Sequence, residues 1–573
     1  MKASRSEATR VPPPGLVANE HFSERHPIPG QSVTANLRGR PPKKGPFTLL
    51  ESSNREDPFS DLQKLRAGVE KVTTGERASA QHAKGKLTAK ERIDLLADQG
   101  SFVELDAFKM PFGEEFARGK TNMLGDGLVM GYCTVNGRTV VAFAEDFTYM
   151  GGSMGRTHLE KIAKAISLAT EMNVPVVGLY DSGGARIQEG VQSLAEMGAM
   201  FYNNVMASGV IPQIAVIMGP SAGGACYSPA LNDFVIMVEK TSYMFITGPK
   251  VVKSVTGEDI DSDGLGGPKV HATGSGVATF SAASDADALK LVKTILSYLP
   301  SSHLDPPPIS PPPQEAEPAD SSVNGLIPLD PKKAYDVRRL IRAVFDKDSF
   351  FEVAPSFARN GVVGFARLQG RPVGIVATQP MVLGGVLDID VSDKISRFVR
   401  LCDSFNLPLI TFVDTPGYMP GKAQEHGGII RHGAKVIYAY SEATVPKITI
   451  VVRKAYGGAY IALCSRKLGA DLVLAYPTAE IAVMGAEGGI EIIKKRELEA
   501  VPPEKKEEVF AKMVKEYRSE YMNPYISAAK GYVDIVVEPA ATRGLLASAL
   551  GRLTARKRRK NAKPRGVHGN IPL

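Results

Sequence analysis

The chain has 573 residues, of which 43% are hydrophobic and 23% are charged. This length predicts two large domains, and the composition is that of a globular enzyme rather than a disordered or fibrous protein. The formal net charge is +8. Much of that excess lies in terminal runs such as residues 556–560, which have no interleaved aromatic side chains, and this argues against nucleic-acid binding.

The N-terminal segment and the cysteines limit the class of protein further. Residues 1–60 are rich in proline, serine and arginine, so we expect a mostly disordered extension. No secretory signal and no run of about 18 apolar residues is present, which predicts no membrane span. The four scattered cysteines form no CxxC pair, which argues against structural zinc and predicts a reducing compartment. That compartment would be the cytoplasm or, in a eukaryote, the mitochondrial matrix.

The chain repeats itself once. Gly137 recurs as Gly370 and Asp181 recurs as Asp414, both at an offset of 233 residues. Further on, the pair Gly223-Gly224 recurs as Gly457-Gly458 at an offset of 234 residues. A proline-rich segment lies between the two copies and is poorly suited to a helix or a central strand. We therefore expect four segments after the extension: an N-terminal domain over 65–300, a linker over 301–325, a C-terminal domain over 326–560 and a basic tail over 561–573.

Each copy alternates between strand and helix patterns. The runs 174–181 and 214–219 are short and β-branched, which is typical of buried strands. The segments Leu159–Met172 and Asp393–Phe405 instead have apolar residues at helical spacing. This alternation predicts a layered α/β fold in each half, with helices packed against a sheet.

Glycine turns follow buried strands in both halves. The strand that ends at Asp181 is followed by the turn 182–186, and the strand that ends at Arg453 is followed by the turn 454–460. Glycine lets the backbone turn sharply, and the first N–H groups of a helix have no internal partners and can face a developing anion. Such turns could form oxyanion holes. Spacing alone leaves open whether they are ordinary strand-to-helix turns.

Several long motifs resemble one family. They include DSGGARIQEG (181–190), IMGPSAGGACY (217–227), RKAYGGAY (453–460) and the terminal HGNIPL. From about residue 65 onward, the chain resembles the β (carboxyltransferase) subunit of propionyl-CoA and acetyl-CoA carboxylases. The resemblance implies two duplicated crotonase-like (ClpP/crotonase) spiral domains per chain. It also implies a homo-hexamer in which the N-terminal half of one protomer faces the C-terminal half of another.

The resemblance also implies a reaction. The carboxyl group of carboxybiotin would pass to the α-carbon of a short-chain acyl-CoA, propionyl-CoA or acetyl-CoA, giving methylmalonyl-CoA or malonyl-CoA. The biotin ureido nitrogen would take the α-proton, and the resulting enolate would attack CO2. By motif, Gly183 and Gly184 would hold the thioester oxygen, and Gly458 and Ala459 the biotin carbonyl. Further residues of the same motifs would line the substrate site: Ser182, Ala185, Arg186, Gly223, Gly224, Ala225, Tyr456, Gly457, Tyr460 and Ile461.

Other features of the sequence concern the substrate specificity, the partner and the direction of the reaction. Propionyl-type subunits often have Asp at the position of Ile461, so strict propionyl specificity is not expected. The chain has no biotin-attachment motif and no ATP-binding region, which implies a partner that carries biotin carboxylase and biotin carrier domains. The same chain could instead serve a biotin-dependent decarboxylase or a transcarboxylase acting on methylmalonyl-CoA.

Other classes of function fit the sequence poorly. His426 and His432 do not have the spacing of a usual metal pair, so no metal site is expected. Ser182 and Ser221 lie outside a GxSxG turn and have no evident histidine partner, which argues against a serine hydrolase. Arg186 could pair with a phosphate or with a carboxylate across an interface. A non-catalytic scaffold would not need glycine turns in both halves.

Overall fold

The computed structural model describes residues 57–72, 76–112, 124–311, 321–554 and 568–572. The extension expected over 1–60 lies almost wholly outside the described residues. Part of the expected linker and most of the basic tail lie outside them as well. Within the described ranges, no helix combines the length and the apolar character that a membrane span requires.

Two sheets of eight strands form the frame of the molecule, one from each half of the chain. The first sheet contains β1 (Val103–Leu105), β2 (Leu128–Val135), β3 (Arg138–Glu145), β4 (Val176–Ser182), β5 (Gln213–Ala222), β6 (Phe234–Val238), β7 (Tyr243–Phe245) and β8 (Phe280–Ala282). The second contains β9 (Phe351–Val353), β10 (Gly361–Leu368), β11 (Arg371–Thr378), β12 (Leu409–Thr415), β13 (Lys447–Tyr456), β14 (Leu472–Ala475), β15 (Glu480–Ala482) and β16 (Ile535–Val536).

The two sheets have the same topology. The first has the order β1-β2-β3-β4-β5-β6-β8 with β7 beside β5, and the second has the order β9-β10-β11-β12-β13-β14-β16 with β15 beside β13. In each sheet the first three strands are antiparallel and the others are parallel. This symmetry confirms the duplicated α/β fold that the repeated motifs predict.

Helices cover the sheets and include both predicted segments. They are α1 (Pro58–Val72), α2 (Glu76–His82), α3 (Ala89–Leu96), α4 (Arg156–Met172), α5 (Val191–Ala207), α6 (Tyr227–Ala230), α7 (Pro249–Thr256), α8 (Ser262–Gly266), α9 (Pro268–Val270), α10 (Asp285–Tyr298), α11 (Val337–Val344), α12 (Ile389–Ser404), α13 (Lys422–Gly427), α14 (Ile429–Glu442), α15 (Gly457–Ala462), α16 (Ala486–Ile493), α17 (Lys495–Glu499), α18 (Lys506–Tyr517), α19 (Pro524–Ala529) and α20 (Thr542–Thr554).

The two halves share one continuous apolar core. The ring of Phe365 lies 6.3 Å from that of Phe234 and 5.5 Å from that of Tyr298, centroid to centroid, so side chains from both halves stack together. The Tyr298 hydroxyl also donates a hydrogen bond of 2.6 Å to the carbonyl oxygen of Ser349. Because the core is shared, the relative placement of the two sheets is fixed by packing rather than by the linker.

Candidate active site

In the N-terminal half, a tight backbone corner follows strand β4. The N–H of Met154 donates to Gly184 O, and the N–H of Arg186 donates to Met154 O, both at 2.9 Å. Gly184 has φ of +98°, a conformation that favours glycine. Between these two anchored residues, the N–H of Ala185 has no hydrogen-bond acceptor among the described residues.

The C-terminal half builds the same corner after strand β12. The N–H of Leu387 donates to Gly417 O at 3.0 Å, and the N–H of Met419 donates to Leu387 O at 2.8 Å. Gly417 has φ of +137°. The residue held between them is Tyr418, whose N–H likewise has no acceptor in the described part of the chain.

A second backbone donor lies beside each corner. Strands β5 and β13 each end in a glycine with positive φ, +64° at Gly223 and +58° at Gly457, and a helical turn begins there. The next residues, Gly224 and Gly458, therefore present first-turn N–H groups. As N–H groups of the first helical turn, neither has an intrahelical acceptor among the described residues.

The corner and the helical turn are adjacent in both halves. A Cβ atom at Gly184 would lie 2.8 Å from Ala222 O, and one at Gly458 would lie 3.7 Å from the Tyr418 ring. Each half thus brings together two unpaired N–H donors at the carboxyl ends of neighbouring parallel strands. We call Ala185 with Gly224 the N-terminal donor pair, and Tyr418 with Gly458 the C-terminal donor pair.

The expected roles of Gly183 and Gly184 need correction. The N–H of Gly183 donates to Gly151 O at 3.1 Å, and the N–H of Gly184 donates to Ser182 Oγ at 3.1 Å. Neither N–H is an unpaired donor, because both hold the corner in shape. The sequence shows both glycines, but the acceptor of the Gly183 N–H is Gly151, far earlier in the chain, and the Ser182 hydroxyl that accepts from Gly184 is held in turn by Gly152. Spacing does not reveal these contacts.

Ser182 and Arg186 were expected to line the substrate site, and the structure places both inside the protein. The Ser182 hydroxyl donates to Gly152 O at 2.6 Å. The Arg186 guanidinium is fully buried, lies 2.8 Å from carboxylates of both Asp126 and Glu189, and donates to Ser153 O. Arg186 is thus committed to an internal ion cluster and cannot meet a phosphate in this arrangement.

The other expected site residues surround the two donor pairs. Ala225 and Ala459 are fully buried directly after Gly224 and Gly458. The Ala225 N–H closes the 3-10 turn on the Ala222 carbonyl, whereas the Ala459 N–H lies in the first turn of an α-helix and has no intrahelical acceptor. The Tyr456 hydroxyl donates to Glu480 rather than facing the pair. Tyr460 packs on the core, whereas the side chain of Ile461 is 50% exposed and accessible to a ligand.

A buried ion pair lies beneath each corner. Asp181 accepts hydrogen bonds from Lys86 at 2.7 Å and from Arg92 at 2.9 Å. Asp414, its repeat partner, is instead paired with Arg453 of β13 at 2.8 Å. The position equivalent to Arg453 is Gly219, where a Cβ would lie 1.8 Å from the Asp181 carboxylate. The carboxylates at equivalent positions in the two halves are therefore both neutralised, but by cations from different parts of the chain.

The surroundings contain no conventional nucleophile or metal centre. The described residues hold no cluster of ligating side chains that could bind a metal ion, and His432 instead pairs with Asp393 at 2.7 Å. Burial raises the pKa of the Cys226 thiol and favours its neutral form. Ser221 is buried and lies in register with Ser182, and no histidine in the described part of the chain forms a hydrogen bond to either hydroxyl. Backbone N–H groups are thus the main electrophilic feature of this region.

Exposed apolar side chains lie close to the donor pairs in sequence. Ile187 and Val191 follow the N-terminal corner and are 88% and 75% exposed. Ile430 and Val483 are similarly exposed in the C-terminal half. Exposed apolar side chains grouped in this way are typical of an interaction surface.

A duplicated α/β chain with paired N–H donors in each half defines a class of enzymes that stabilise oxyanions with backbone groups. The family model described as "Carboxyl transferase domain" matches residues 80–571. The chain therefore belongs to the carboxyl transferase domain family, and it is a biotin-dependent acyl-CoA carboxyltransferase with the crotonase-like fold in duplicate.

Similar proteins support this assignment along nearly the whole chain. A relative from Haloferax mediterranei named "Propionyl-CoA carboxylase, carboxyltransferase subunit" is 50% identical, with coverage of 90% of this chain and 99% of the relative. A "Methylmalonyl-CoA decarboxylase subunit alpha" from Veillonella parvula is also 50% identical, with coverage of 89% and 99%. The solved transcarboxylase 12S hexamer, with methylmalonyl-CoA and methylmalonic acid bound, is 47% identical with a TM-score of 0.85 and coverage of 91% and 99%.

Proposed function

We propose that this chain transfers the carboxyl group of carboxybiotin, carried by a partner subunit, to the α-carbon of a short-chain acyl-CoA. Propionyl-CoA and acetyl-CoA are the proposed acceptors, and methylmalonyl-CoA and malonyl-CoA the products. The observation that carries the proposal is the repeated pair of unpaired N–H donors, one pair in each half. A transfer between a thioester and a urea needs two such sites, because negative charge develops on a carbonyl oxygen in each reactant.

We assign the thioester oxygen to the N-terminal donor pair. Removal of the α-proton places negative charge on that oxygen, and the N–H groups of Ala185 and Gly224 are positioned to donate hydrogen bonds to it without reorganisation. Gly183 and Gly184 serve this pair by shaping the corner.

We assign the biotin carbonyl to the C-terminal donor pair, Tyr418 with Gly458, with the N–H of Ala459 beside them. When bound, biotin supplies the carboxyl group and a ureido nitrogen that can accept the α-proton. The site fits a neutral urea, because its donors are uncharged backbone groups next to the Tyr418 ring. Biotin would arrive on a biotin carrier domain, and a biotin carboxylase would charge it.

We propose that a homo-hexamer completes the site by facing the N-terminal half of one protomer with the C-terminal half of another. Two observations support this assembly: the exposed apolar side chains of Ile187, Val191, Ile430 and Val483, and the hexameric assembly of the similar transcarboxylase 12S. The four buried cysteines form no disulfide bond, which suits a reducing compartment such as the cytoplasm or the mitochondrial matrix.

Ile461 is expected to influence which sizes of acyl group the substrate pocket accepts. Its exposed aliphatic side chain follows the Gly457–Tyr460 turn directly and would give an apolar wall to the acyl pocket. Apolar walls discriminate weakly, at about 1–3 kcal/mol per methylene. We therefore propose a broad range over short acyl chains rather than strict propionyl specificity.

A second candidate function is the transferase step of a methylmalonyl-CoA decarboxylase or transcarboxylase. It is favoured by the 50% identity to the Veillonella parvula decarboxylase subunit. The two donor pairs would serve the same chemistry in the reverse direction. A membrane-bound partner or a keto-acid carboxyl acceptor would distinguish this function from an ATP-dependent carboxylase.

The test is carboxylation with the biotin-bearing partner, ATP and bicarbonate, comparing acetyl-, propionyl-, butyryl- and methylcrotonyl-CoA. We expect fixed carbon in methylmalonyl-CoA and malonyl-CoA, with less on the longer or unsaturated acyl groups. Failure to carboxylate any acyl-CoA, together with decarboxylation of methylmalonyl-CoA, would favour the second candidate. Inactivity in both directions would contradict the proposal.

A further inference from the structure

One structural difference between the two donor pairs lies at the residue before the helical turn. In the N-terminal half this residue is Ala222, and in the C-terminal half it is Tyr456. Their backbone conformations are nearly equal, with φ, ψ of −116°, 150° at Ala222 and −112°, 144° at Tyr456. The two turns thus share a backbone, but only the C-terminal one is preceded by a large side chain that can form contacts.

The Tyr456 side chain is fixed at both ends. Its ring is buried, and its hydroxyl donates to the Glu480 carboxylate on the adjacent strand β15. The register pairs Lys454 with Glu480 and Tyr456 with Ala482. Burial and the neighbouring Glu480 carboxylate both raise the pKa of Tyr456, so the hydroxyl remains a proton donor at every physiological pH.

The N-terminal half fills the equivalent space differently. There the register pairs Pro220 with Tyr243 and Ala222 with Phe245. The large residue therefore lies on the edge strand rather than before the turn. The position of Glu480 is occupied by Tyr243, whose hydroxyl donates to Lys240 O instead. Among the residues that the structure describes, no carboxylate forms a hydrogen bond that links this turn to its edge strand.

Tyr456 also connects the C-terminal donor pair to a peripheral group of helices. We call residues 486–522, which contain α16 to α18, the helical subdomain. The Tyr456 ring packs in one apolar cluster with Ile490, Val514 and Met522 of this subdomain. The Arg518 guanidinium lies 2.9 Å from Glu487 and 3.9 Å from Glu480, so an ion network runs from the subdomain to the Tyr456 hydroxyl.

We propose that Tyr456 is a positioning residue for the biotin-side step, holding the Gly458 N–H in place through Glu480 and coupling it to the helical subdomain. This inference rests on the proposed function. Gly458 lies two residues from Tyr456, and Gly457 between them has φ of +58°, so a shift of the tyrosine moves the donor directly. A misplacement of 1 Å can cost about 10²-fold in rate.

The test uses the assembled protein with methylmalonyl-CoA as carboxyl donor and free biotin as acceptor, measuring propionyl-CoA release. Tyr456→Phe keeps the ring and removes the hydroxyl. We expect kcat/KM for biotin to fall about tenfold or more, while KM for methylmalonyl-CoA is unchanged. Tyr243→Phe, at the edge-strand position of the other half, is the matched control and should leave both parameters as in the wild type.

Two further variants separate positioning from folding. Glu480→Gln retains an acceptor oxygen and should rescue most of the activity that Glu480→Ala loses. Tyr456→Phe combined with Glu480→Ala should be no less active than the more severe single variant, because both substitutions remove the same Tyr456–Glu480 hydrogen bond. A wild-type kcat/KM for biotin in Tyr456→Phe, or equal losses for both substrates, would overturn the inference. A wild-type protein inactive with free biotin and with its biotin-bearing partner would instead overturn the proposed function.

Discussion

Replacing Gly458 by alanine tests the C-terminal donor pair with little damage to the fold. The new Cβ would lie 3.7 Å from the Tyr418 ring, an ordinary contact, and Gly458 does not have a positive φ. Alanine in a helical turn even favours folding by about 1 kcal/mol relative to glycine. The methyl group would nevertheless crowd the approach to two N–H donors. Loss of one oxyanion donor costs about 10²–10³ in rate, or about 2.7–4 kcal/mol.

The assay for Gly458→Ala is steady-state carboxyl transfer, together with the melting temperature and the oligomeric state. We expect transfer to fall at least about 10²-fold while melting and assembly are unchanged. Gly184→Ala is the contrasting variant. Its φ is +98° and its Cβ would lie 2.8 Å from Ala222 O, so it should lose about 1–3 kcal/mol of folding free energy. A fully active Gly458→Ala protein would refute the role of this donor pair.

Three further predictions concern buried groups. Arg186→Met leaves Asp126 and Glu189 buried without their cation, so the free energy of unfolding should fall by about 3–5 kcal/mol. The KM for acyl-CoA should not change. A raised KM in folded protein would instead place Arg186 in the substrate site. Burial raises the pKa of Cys133 to about 11, so only about 0.1% is thiolate at pH 8, and a thiol reagent should label this residue only after denaturation. Burial also raises the pKa of Asp233 to about 6 from 3.8. The protonated carboxyl therefore stabilises the folded state fully below about pH 4, and this stabilisation is lost as the pH rises through 6. In Asp233→Asn, the melting temperature should therefore depend less on pH over that interval. The same pH dependence as in the wild type would contradict this expectation.

Much of the architecture could be predicted from the repeat. Because the same motifs recur at offsets of 233 and 234 residues, equivalent strands and corners had to occupy equivalent places in two sheets. The alternation of apolar runs and helical periods was sufficient to predict α4 and α12 nearly to their ends. These features are local in sequence, which is why pattern reasoning recovers them.

The donor atoms could not be predicted in the same way. The glycine motif contains Gly183 and Gly184, but which N–H remains unpaired depends on hydrogen bonds to Gly151 and Met154, distant in sequence, and on the orientation of the Ser182 hydroxyl. The repeat itself held the missing signal. Ala185 aligns with Tyr418 rather than with another glycine, so a shared backbone role does not require a shared side chain. The burial of Arg186 has a similar cause, because one of its two carboxylate partners, Asp126, lies 60 positions earlier in the chain.

We propose that transfer requires one donor pair from each half, contributed by different protomers. Gly224→Ala and Gly458→Ala disable the two pairs separately, and each variant alone should be inactive. When the two are co-expressed and assembled into mixed oligomers, random pairing should restore about a quarter of wild-type activity, since only sites that combine the intact halves are functional. Persistent inactivity of such mixed oligomers would contradict a site shared between protomers.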